Sequence, residues 1–366
     1  MSYFKTYASN TYAGSANQHL FRMAEGEVRT SRVFYKITNG GEYKYSLLYS
    51  SIIDGSFRGI GNANTICDEW KIIGVRAGRC RAFPEDKDVQ DVSLEDDVKI
   101  EWLGRLYFDG ERGYTPDSGE LFCTDPLPLS FECNEYLCIE MTFSGSILPH
   151  HPEIQVPVYV MKDGKWVYDV ETPVPAMIGC NKKVKERVAF IGDSITQGCG
   201  AGINSYKHWN ATLSELLGGN RAYWNLGIGY GRVSDPASDG VLMFKALQND
   251  TVFVCYGVND VNSDKDADTI IKELSFVIER LKENGCRVIL QTTPPFNYPE
   301  ARRIVWEELN RRIKEDLAEK VDALFDCVPI LGEKDAPHMA KYGGHPDAEG
   351  CTEWANALYE EVKNLF

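Results

Sequence analysis

The sequence contains no apolar run long enough to cross a bilayer and no repetitive or low-complexity tract. A membrane-spanning helix needs about 20 consecutive apolar residues, so no transmembrane segment is predicted. Hydrophobic residues make up 43% and charged residues 25% of the 366 residues, as in ordinary globular proteins. A chain of this length exceeds what one hydrophobic core usually serves, and two domains are therefore expected.

Basic residues are few relative to acidic ones. Lys and Arg number 39 against 54 Asp and Glu, which gives a formal net charge of -15. Such a surface repels the phosphate groups of nucleic acids and of anionic lipids. Neither nucleic acid nor a membrane surface is therefore predicted as a partner.

The N-terminal segment MSYFKTYASN lacks the apolar stretch of a secretory signal. The 11 cysteines are odd in number and show no paired spacing, which indicates reduced thiols in a cytoplasmic protein. Cys199 is close to Ser194 in sequence but has no base paired with it. The adjacent His150 and His151 would point to opposite faces of a strand, so no metal site is predicted.

The N-terminal half reads as a series of short strands. Segments such as YKYSLLYSS, YLCIEMTF and VPVYVM are separated by turn clusters such as NGGE and DGER. Short strands at this spacing, with almost no helical periodicity, are typical of antiparallel sandwiches and jelly rolls. We therefore predict an all-β domain of jelly-roll or sandwich type over residues 1–175.

After the polar stretch ETPVPAMIGCNKKVKE, apolar strands alternate with amphipathic helices up to the C-terminus. The strands include VAFIG, TVFVCY and CRVILQT, and ADTIIKELSFVIERLKENG is one of the helices. This alternation indicates a parallel sheet covered by helices on both faces. We predict an α/β domain over residues 184–366, with its ligand at the ends of the strands.

The strand VAFIG runs directly into Asp193 and Ser194. A hydroxyl at this position stands at the carboxyl edge of the sheet, beside the backbone amides that begin the next helix. Ser194 is thus well placed for nucleophilic attack. Aspartate and serine also cap helices, so this motif alone leaves both roles open.

Two further strand ends carry oxyanion-binding candidates. NLGIGYGRV contains Gly227, Gly229 and Gly231, which allow the backbone to approach a ligand closely. Their G-x-G-x-G spacing does not fit the dinucleotide-binding fingerprint. TVFVCY is followed by GVND, in which Asn259 could donate to a developing oxyanion without carrying a charge.

Near the C-terminus, YGGHPDAEG places His345 in a loop before the final helix. A neutral imidazole there could accept the proton of Ser194 and later pass it to a leaving group. A single loop histidine is often only solvated. The other members of a nucleophilic site precede it in the chain, which favours a catalytic role.

The segments GDSIT, NLGIGYG, GVND and HPDAEG resemble, in order, the four signature blocks of the SGNH (GDSL) hydrolases, a family of serine esterases. The resemblance implies a three-layer α/β/α, flavodoxin-like catalytic domain that needs no cofactor. It implies Ser194 as nucleophile and first oxyanion amide, Asn259 as side-chain donor and His345 as general base. For the remaining amide it points to Gly231, with Tyr230, at the family's usual glycine position, as the alternative.

One position departs from the family pattern. Members usually carry Asp three residues before the catalytic His, to orient the imidazole, and here that residue is Tyr342. Asp335 is the nearest upstream carboxylate, and a backbone carbonyl, giving a Ser-His dyad, is an equal alternative. His338, three residues after Asp335, is a minor rival of His345 as the base.

An N-terminal β-sandwich before such a domain is similar to esterases that remove acetyl groups from carbohydrates. The expected substrate is therefore a small acylated molecule, an acetylated sugar or oligosaccharide, and Trp102, Tyr107 and Trp166 are candidates for a sugar-stacking surface. The alternatives are a short-chain lipid esterase or thioesterase and a catalytically inactive glycan-binding protein. The sequence leaves open whether the chain forms a homo-oligomer.

Overall fold

The computed structural model of the protein describes residues 2–57, 62–67, 69–332 and 344–366. Contacts within the chain group it into two compact units. The N-terminal unit comprises Met1–Ile53 and Asn64–Lys183, and the C-terminal unit comprises Asp54–Ala63 and Val184–Phe366. The segment Asp54–Ala63, which lies within the predicted domain 1–175, thus groups with the C-terminal unit.

The N-terminal unit is built from antiparallel strands. It begins with a short helix, α1 (Tyr3–Thr6). Its strands follow in chain order: β1 (Ala8–Ser9), β2 (His19–Arg22), β3 (Val28–Lys36), β4 (Gly41–Ser50), β5 (Trp70–Cys80), β6 (Glu101–Leu106), β7 (Leu121–Cys123), β8 (Leu127–Phe131), β9 (Tyr136–Gly145), β10 (Ile147–His150), β11 (Val158–Lys162), β12 (Lys165–Tyr168) and β13 (Met177–Cys180).

These strands form two large sheets and a two-stranded one. The first sheet has the order β1-β13-β4-β7, with β8 also paired to β4, and the second has the order β12-β11-β3-β9-β5-β6. The rings of Trp70 in β5 and Phe122 in β7 lie 5.9 Å apart, so the two sheets share a core. The predicted all-β domain is confirmed, while its jelly-roll connectivity stays a prediction.

The C-terminal unit alternates strands with helices: β14 (Glu186–Gly192), α2 (Ser194–Gln197), α3 (Trp209–Leu217), β15 (Arg221–Gly227), α4 (Ser234–Ala237), α5 (Val241–Ala246), β16 (Thr251–Cys255), α6 (Val258–Asn262), α7 (Ala267–Glu283), β17 (Arg287–Gln291), α8 (Glu300–Asp316), β18 (Ala323–Phe325), α9 (Val328–Leu331) and α10 (Ala348–Val362). Its strands are parallel in the order β15-β14-β16-β17-β18. This is the flavodoxin-like order 2-1-3-4-5, which confirms the predicted α/β fold class.

Helices can cover both faces of the sheet because the central strands are buried along their whole length and the helices carry apolar faces. Every residue of β15 and β16 is buried, as expected of strands between two helical layers. In α7, Ile270, Leu274, Val277 and Leu281 are buried at helical spacing. Helices α3 and α10 pack against each other, and Trp209 of α3 stacks on Trp354 of α10 with ring centroids 5.0 Å apart.

The order of the strands determines where a ligand can bind. Strands β15 and β16 flank β14 on opposite sides, so the direction in which successive strands are added to the sheet reverses beside β14. Such a switch point opens a crevice at the carboxyl ends of the strands. The chain leaves these ends at Gly192, Gly227 and Cys255. Within the described part of the chain, no helix is both long and apolar enough to cross a membrane.

Candidate active site

Ser194 is the first residue of α2, immediately beyond the central strand β14. Asp193 caps this helix, and its Oδ1 accepts a hydrogen bond of 2.9 Å from the amide of Ile195. The strand-to-helix turn is tight, since a Cβ on Gly192 would lie 2.1 Å from Oγ1 of Thr196. This turn leaves Ser194 half-buried at the carboxyl edge of the sheet.

His345 lies against this serine. Its Nε2 is 2.7 Å from Oγ of Ser194, although the two residues are 151 positions apart. Two residues later Asp347 caps α10, accepting from the amides of Glu349 and Gly350. The cap ties the loop that carries His345 to the start of the last helix.

The ring of Phe296 supports the imidazole of His345 from the loop after β17. The two rings meet edge to face, with centroids 5.3 Å apart and an interplanar angle of 76°. Gly344 is the residue that permits this approach. Its φ is +91°, and a Cβ there would lie 2.8 Å from Cα of Phe296.

Asn259 lies in α6, beyond the end of β16. Its Nδ2 donates a hydrogen bond of 3.1 Å to the carbonyl oxygen of Gly231. A primary amide carries two N–H groups, so this bond leaves one N–H for a ligand. The bond joins two of the sequence blocks, GVND and NLGIGYG, at one edge of the sheet.

The turn after β15 uses its own amides in a way that the sequence did not reveal. The N–H of Gly231 donates to the carbonyl oxygen of Ile228 at 2.9 Å, and that of Gly229 donates to Oε1 of Gln197. Gly231, the amide favoured for the oxyanion, is therefore engaged within the turn. Tyr230 between them has a φ of +60°, a left-handed conformation that non-glycine residues adopt uncommonly.

Gly231 has a steric role instead. A Cβ at this position would lie 2.8 Å from the carbonyl oxygen of Ile228 and 3.5 Å from Cα of Asp193. The absence of a side chain therefore lets the turn approach the Asp193–Ser194 backbone closely.

Comparison with known proteins agrees with this geometry. Residues 190–352 match the model of the GDSL-like lipase/acylhydrolase family. The C-terminal unit belongs to this family. The chain thus carries a GDSL-type acylhydrolase domain over residues 190–352, preceded by an additional N-terminal domain of antiparallel sheets.

Solved structures of GDSL proteins resemble about half of the chain. One is a lipolytic G-D-S-L protein from Veillonella parvula, which is 21% identical, covers 48% of this chain and 96% of its own, and has a TM-score of 0.43. Another is an acetylxylan esterase from Geobacillus stearothermophilus, which is 22% identical, covers 50% of this chain and 95% of its own, and has a TM-score of 0.41. The search among curated proteins finds no match.

Three buried carboxylates surround the GDSL-type site: Asp193, Asp235 and Asp260. The sequence predicts a possible capping role for Asp193 but no role for the other two. Oδ2 of Asp235 accepts from the amide of Arg232 at 2.9 Å, and Oδ2 of Asp260 accepts from that of Val233 at 3.1 Å. These bonds fix the end of the turn that begins at Ile228. Asp260 follows Asn259 directly, so its place in the GVND block was the available signal.

Burial raises the pKa values of these carboxyl groups, since an ionised group loses its hydration there. The pKa of Asp193 rises to about 7 and that of Asp235 to about 6. Burial also raises the pKa of Asp260, although Nζ of Lys265, 2.9 Å from its Oδ1, opposes this effect. Oδ2 of Asp193 is buried without a hydrogen-bond partner.

A cavity of about 520 Å³ lies on the GDSL domain beside Phe296. Its wall combines aromatic rings with charged groups and an amide: Phe296, Tyr298, Trp306, Arg303, Glu307, Asn310 and Lys314. Phe296 thus borders this cavity and also contacts His345.

Several residues considered for the site have other surroundings or are not described. Asp335, His338 and Tyr342 lie outside the described residues. Cys199 is buried, and burial lowers the pKa of His150 to about 4. Among the described residues, no group of three or more His, Cys, Asp or Glu side chains is arranged to hold a metal ion.

Trp102 and Trp166 share one face of the second sheet in the N-terminal unit. The guanidinium of Arg32 lies 5.4 Å from the ring centre of Trp102 and 4.0 Å from that of Trp166. Arg32 also pairs with Glu140 at 2.9 Å. Tyr107, the third proposed sugar-stacking residue, is 41% exposed.

Proposed function

We propose that the protein is a serine esterase that removes acetyl or other short acyl groups from a carbohydrate through an acyl-enzyme on Ser194. The observation that carries this proposal is the 2.7 Å contact between Oγ of Ser194 and Nε2 of His345. A hydroxyl in contact with an imidazole at a sheet edge has the geometry of a nucleophile and its general base.

The chemistry proceeds in two halves. As Oγ of Ser194 bonds to the acyl carbon, its proton passes to Nε2 of His345. The bond between acyl carbon and alcohol oxygen then breaks, and the imidazolium returns the proton to that oxygen. Water, deprotonated by His345, attacks the acyl-enzyme in the second half and releases the carboxylic acid and the serine hydroxyl.

Three donors would hold the oxyanion in both halves. The amide of Ser194 begins α2, and Asn259, in α6 beyond the neighbouring strand β16, has a second N–H to offer. For the remaining backbone amide we now favour Tyr230 over Gly231. The Gly231 N–H is engaged with Ile228, and Tyr230, at the family's usual glycine position, has a left-handed backbone.

A short acyl group and a polar alcohol fit the surroundings of Ser194. Tyr230 places a bulky side chain at a turn where the family usually has none. The large exposed apolar side chains of the described residues are scattered over different elements: Val28, Ile66, Trp102, Tyr107, Val167, Leu216, Phe276 and Ile304. A continuous apolar surface, which a long-chain lipid would need, is absent from this described set.

Two features support a sugar as the alcohol. The cavity beside Phe296 combines aromatic rings with hydrogen-bonding groups, as sugars require of their sites. The sheet face around Trp102 and Trp166 offers a similar combination in the N-terminal unit. Asp335 stays the proposed orienting carboxylate, with a Ser-His dyad as its alternative. An Asp335→Asn variant with unchanged turnover would favour the dyad.

The test measures p-nitrophenyl acetate hydrolysis by the wild type, Ser194→Ala and His345→Ala, with Ser93→Ala as a matched serine control in the N-terminal unit. We expect activity to be lost in the first two variants and kept in the control. Equal rates in all four proteins would exclude the esterase and favour the glycan-binding alternative. Acetate-to-decanoate chain lengths and acetylated xylo-oligosaccharides then distinguish a sugar deacetylase from a lipid esterase.

A further inference from the structure

A short segment from the first third of the chain belongs to the catalytic unit. Asp54–Phe57 lies in the connection between β4 and β5 of the N-terminal unit, yet it is grouped with the C-terminal unit by its contacts. Its partners are Lys245 of α5, Asp235 of α4, and Tyr230 in the turn Ile228–Val233, which is called the oxyanion turn below.

A buried ion pair anchors the beginning of this segment. Nζ of Lys245 pairs with Oδ1 of Asp54, and both side chains are 0% exposed. A buried ammonium group without a partner is strongly unfavourable, because it loses its hydration. The GDSL domain therefore needs a carboxylate from outside its own stretch of sequence to neutralise a lysine in its interior.

The middle of the segment shares a carboxylate with the oxyanion turn. The amide of Ser56 donates to Oδ1 of Asp235 at 3.2 Å, while the amide of Arg232 donates to Oδ2 at 2.9 Å. Gly55 packs closely against Asp235 and Ile228, since a Cβ at this position would lie 3.2 Å from Oδ2 of Asp235 and from the side chain of Ile228. Asp235 thus bridges the segment and the turn.

The end of the segment supports Tyr230 directly. The ring of Phe57 meets that of Tyr230 edge to face, with centroids 5.2 Å apart and an interplanar angle of 83°. Phe57 is 7% exposed, so it packs within the unit. Tyr230 adopts its uncommon positive φ next to this ring, and such a conformation persists only where the surroundings hold it.

We propose that Asp54–Phe57 is a positioning element of the active site, which holds the turn Ile228–Val233 so that the Tyr230 amide is aimed at the oxyanion. This inference rests on the proposed esterase function. The segment acts through the turn and does not contact the reacting atoms. Since both tetrahedral intermediates need the same donors, loosening the turn slows acylation and deacylation alike while substrate binding changes little.

The test compares kcat and KM of Phe57→Ala, Phe57→Leu and the wild type for p-nitrophenyl acetate. We expect kcat of Phe57→Ala to fall on the order of ten- to a hundred-fold, as for a displaced catalytic group, with KM within about twofold. Phe57→Leu should recover part of the loss. Leu358→Ala, a truncation at a 0% exposed position in α10, is the control for general destabilisation and should keep kcat.

The outcomes separate the two levels of the proposal. A folded Phe57→Ala protein with wild-type kcat, alongside an inactive Ser194→Ala, would overturn the positioning role and leave the esterase intact. If Ser194→Ala is as active as the wild type, the esterase itself fails. Should Phe57→Ala not fold, Asp235→Asn decides, because it leaves one of the two amides without a carboxylate acceptor and should lower kcat with KM unchanged.

Discussion

A Cβ atom on Gly200 would lie 2.9 Å from Cβ of His345. The same atom would be 2.4 Å from the carbonyl oxygen of Pro346, and Gly200 has a φ of +99°. The glycine-rich segment GCGAG at residues 198–202 therefore has a steric role at the site. Its central glycine, Gly200, lets the chain after Ser194 pack against the loop that carries His345.

We predict that Gly200→Ala lowers kcat by on the order of a hundred-fold, because the new methyl group pushes His345 away from Ser194. Gly202→Ala is the matched control. Gly202 has a φ of +98°, and its nearest neighbour would be 3.8 Å away, so it carries the same backbone strain without the contact. Equal kcat values for the two variants would show that strain, and not displacement of the histidine, is responsible.

Asn259→Ala should lower kcat by about 10²–10³-fold, the usual effect of removing one oxyanion donor. KM should change little, since the bond to the oxyanion forms only in the transition state. The bond from Asn259 to Gly231 is lost as well. Asn284→Ala serves as control, because Nδ2 of Asn284 bonds to the carbonyl of Leu247 at an exposed position. Unchanged kcat in Asn259→Ala would remove this residue from the oxyanion site.

Much of the site could be inferred from the sequence because parallel strands end at one edge of the sheet. Ser194, Asn259 and His345 each lie within a recognisable sequence block, and the fold brings the serine and histidine into contact. The block pattern does not show which backbone N–H groups are used within a turn. The engagement of Gly231 with Ile228 was for this reason not foreseen.

Long-range contacts were the main part that the sequence did not reveal. Strands β3 and β9 pair over nine residues although about 100 residues separate them, and local alternation cannot specify such partners. The pair of Asp54 and Lys245 is another example. Each residue alone resembles a solvated surface charge. Their mutual burial requires Asp54 to pack with the C-terminal unit and not with the strands that flank it in sequence.

The cap of α10 gives a prediction that links stability to activity. Asp347→Ala removes the acceptor of the Glu349 and Gly350 amides and should lower the free energy of unfolding by about 1 kcal/mol. Because His345 is two residues away, kcat should fall as well. Asp266 caps α7 in the same way, since its Oδ1 accepts from the amide of Thr269. Asp266→Ala should therefore lower the free energy of unfolding without lowering kcat. A fall in kcat in both variants would show that the α10 cap has no specific effect on His345.

The buried Asp193 should make the stability of the catalytic unit depend on pH. Its pKa of about 7 in the folded protein, against an ordinary value of 3.8, means that the folded state binds a proton more tightly than the unfolded state. This stabilisation is present below pH 4 and is lost as the pH rises towards 7, with a slope of up to about 1.4 kcal/mol per pH unit. Asp193→Asn keeps the cap acceptor and removes the titration.

The measurement is the difference in unfolding free energy between Asp193→Asn and the wild type at several pH values between 4 and 8. We expect the variant to gain on the wild type as the pH rises, and the gain to level off above pH 7. Asp264→Asn is the control, and its difference should stay nearly constant above about pH 5, because Arg302 lowers the pKa of Asp264 below its ordinary value of 3.8 and this carboxyl is then ionised in both states. A difference for Asp193→Asn that is constant with pH would mean that this carboxyl keeps one protonation state throughout. Ser194 would then lie beside a fixed charge or a fixed neutral acid over the whole pH range.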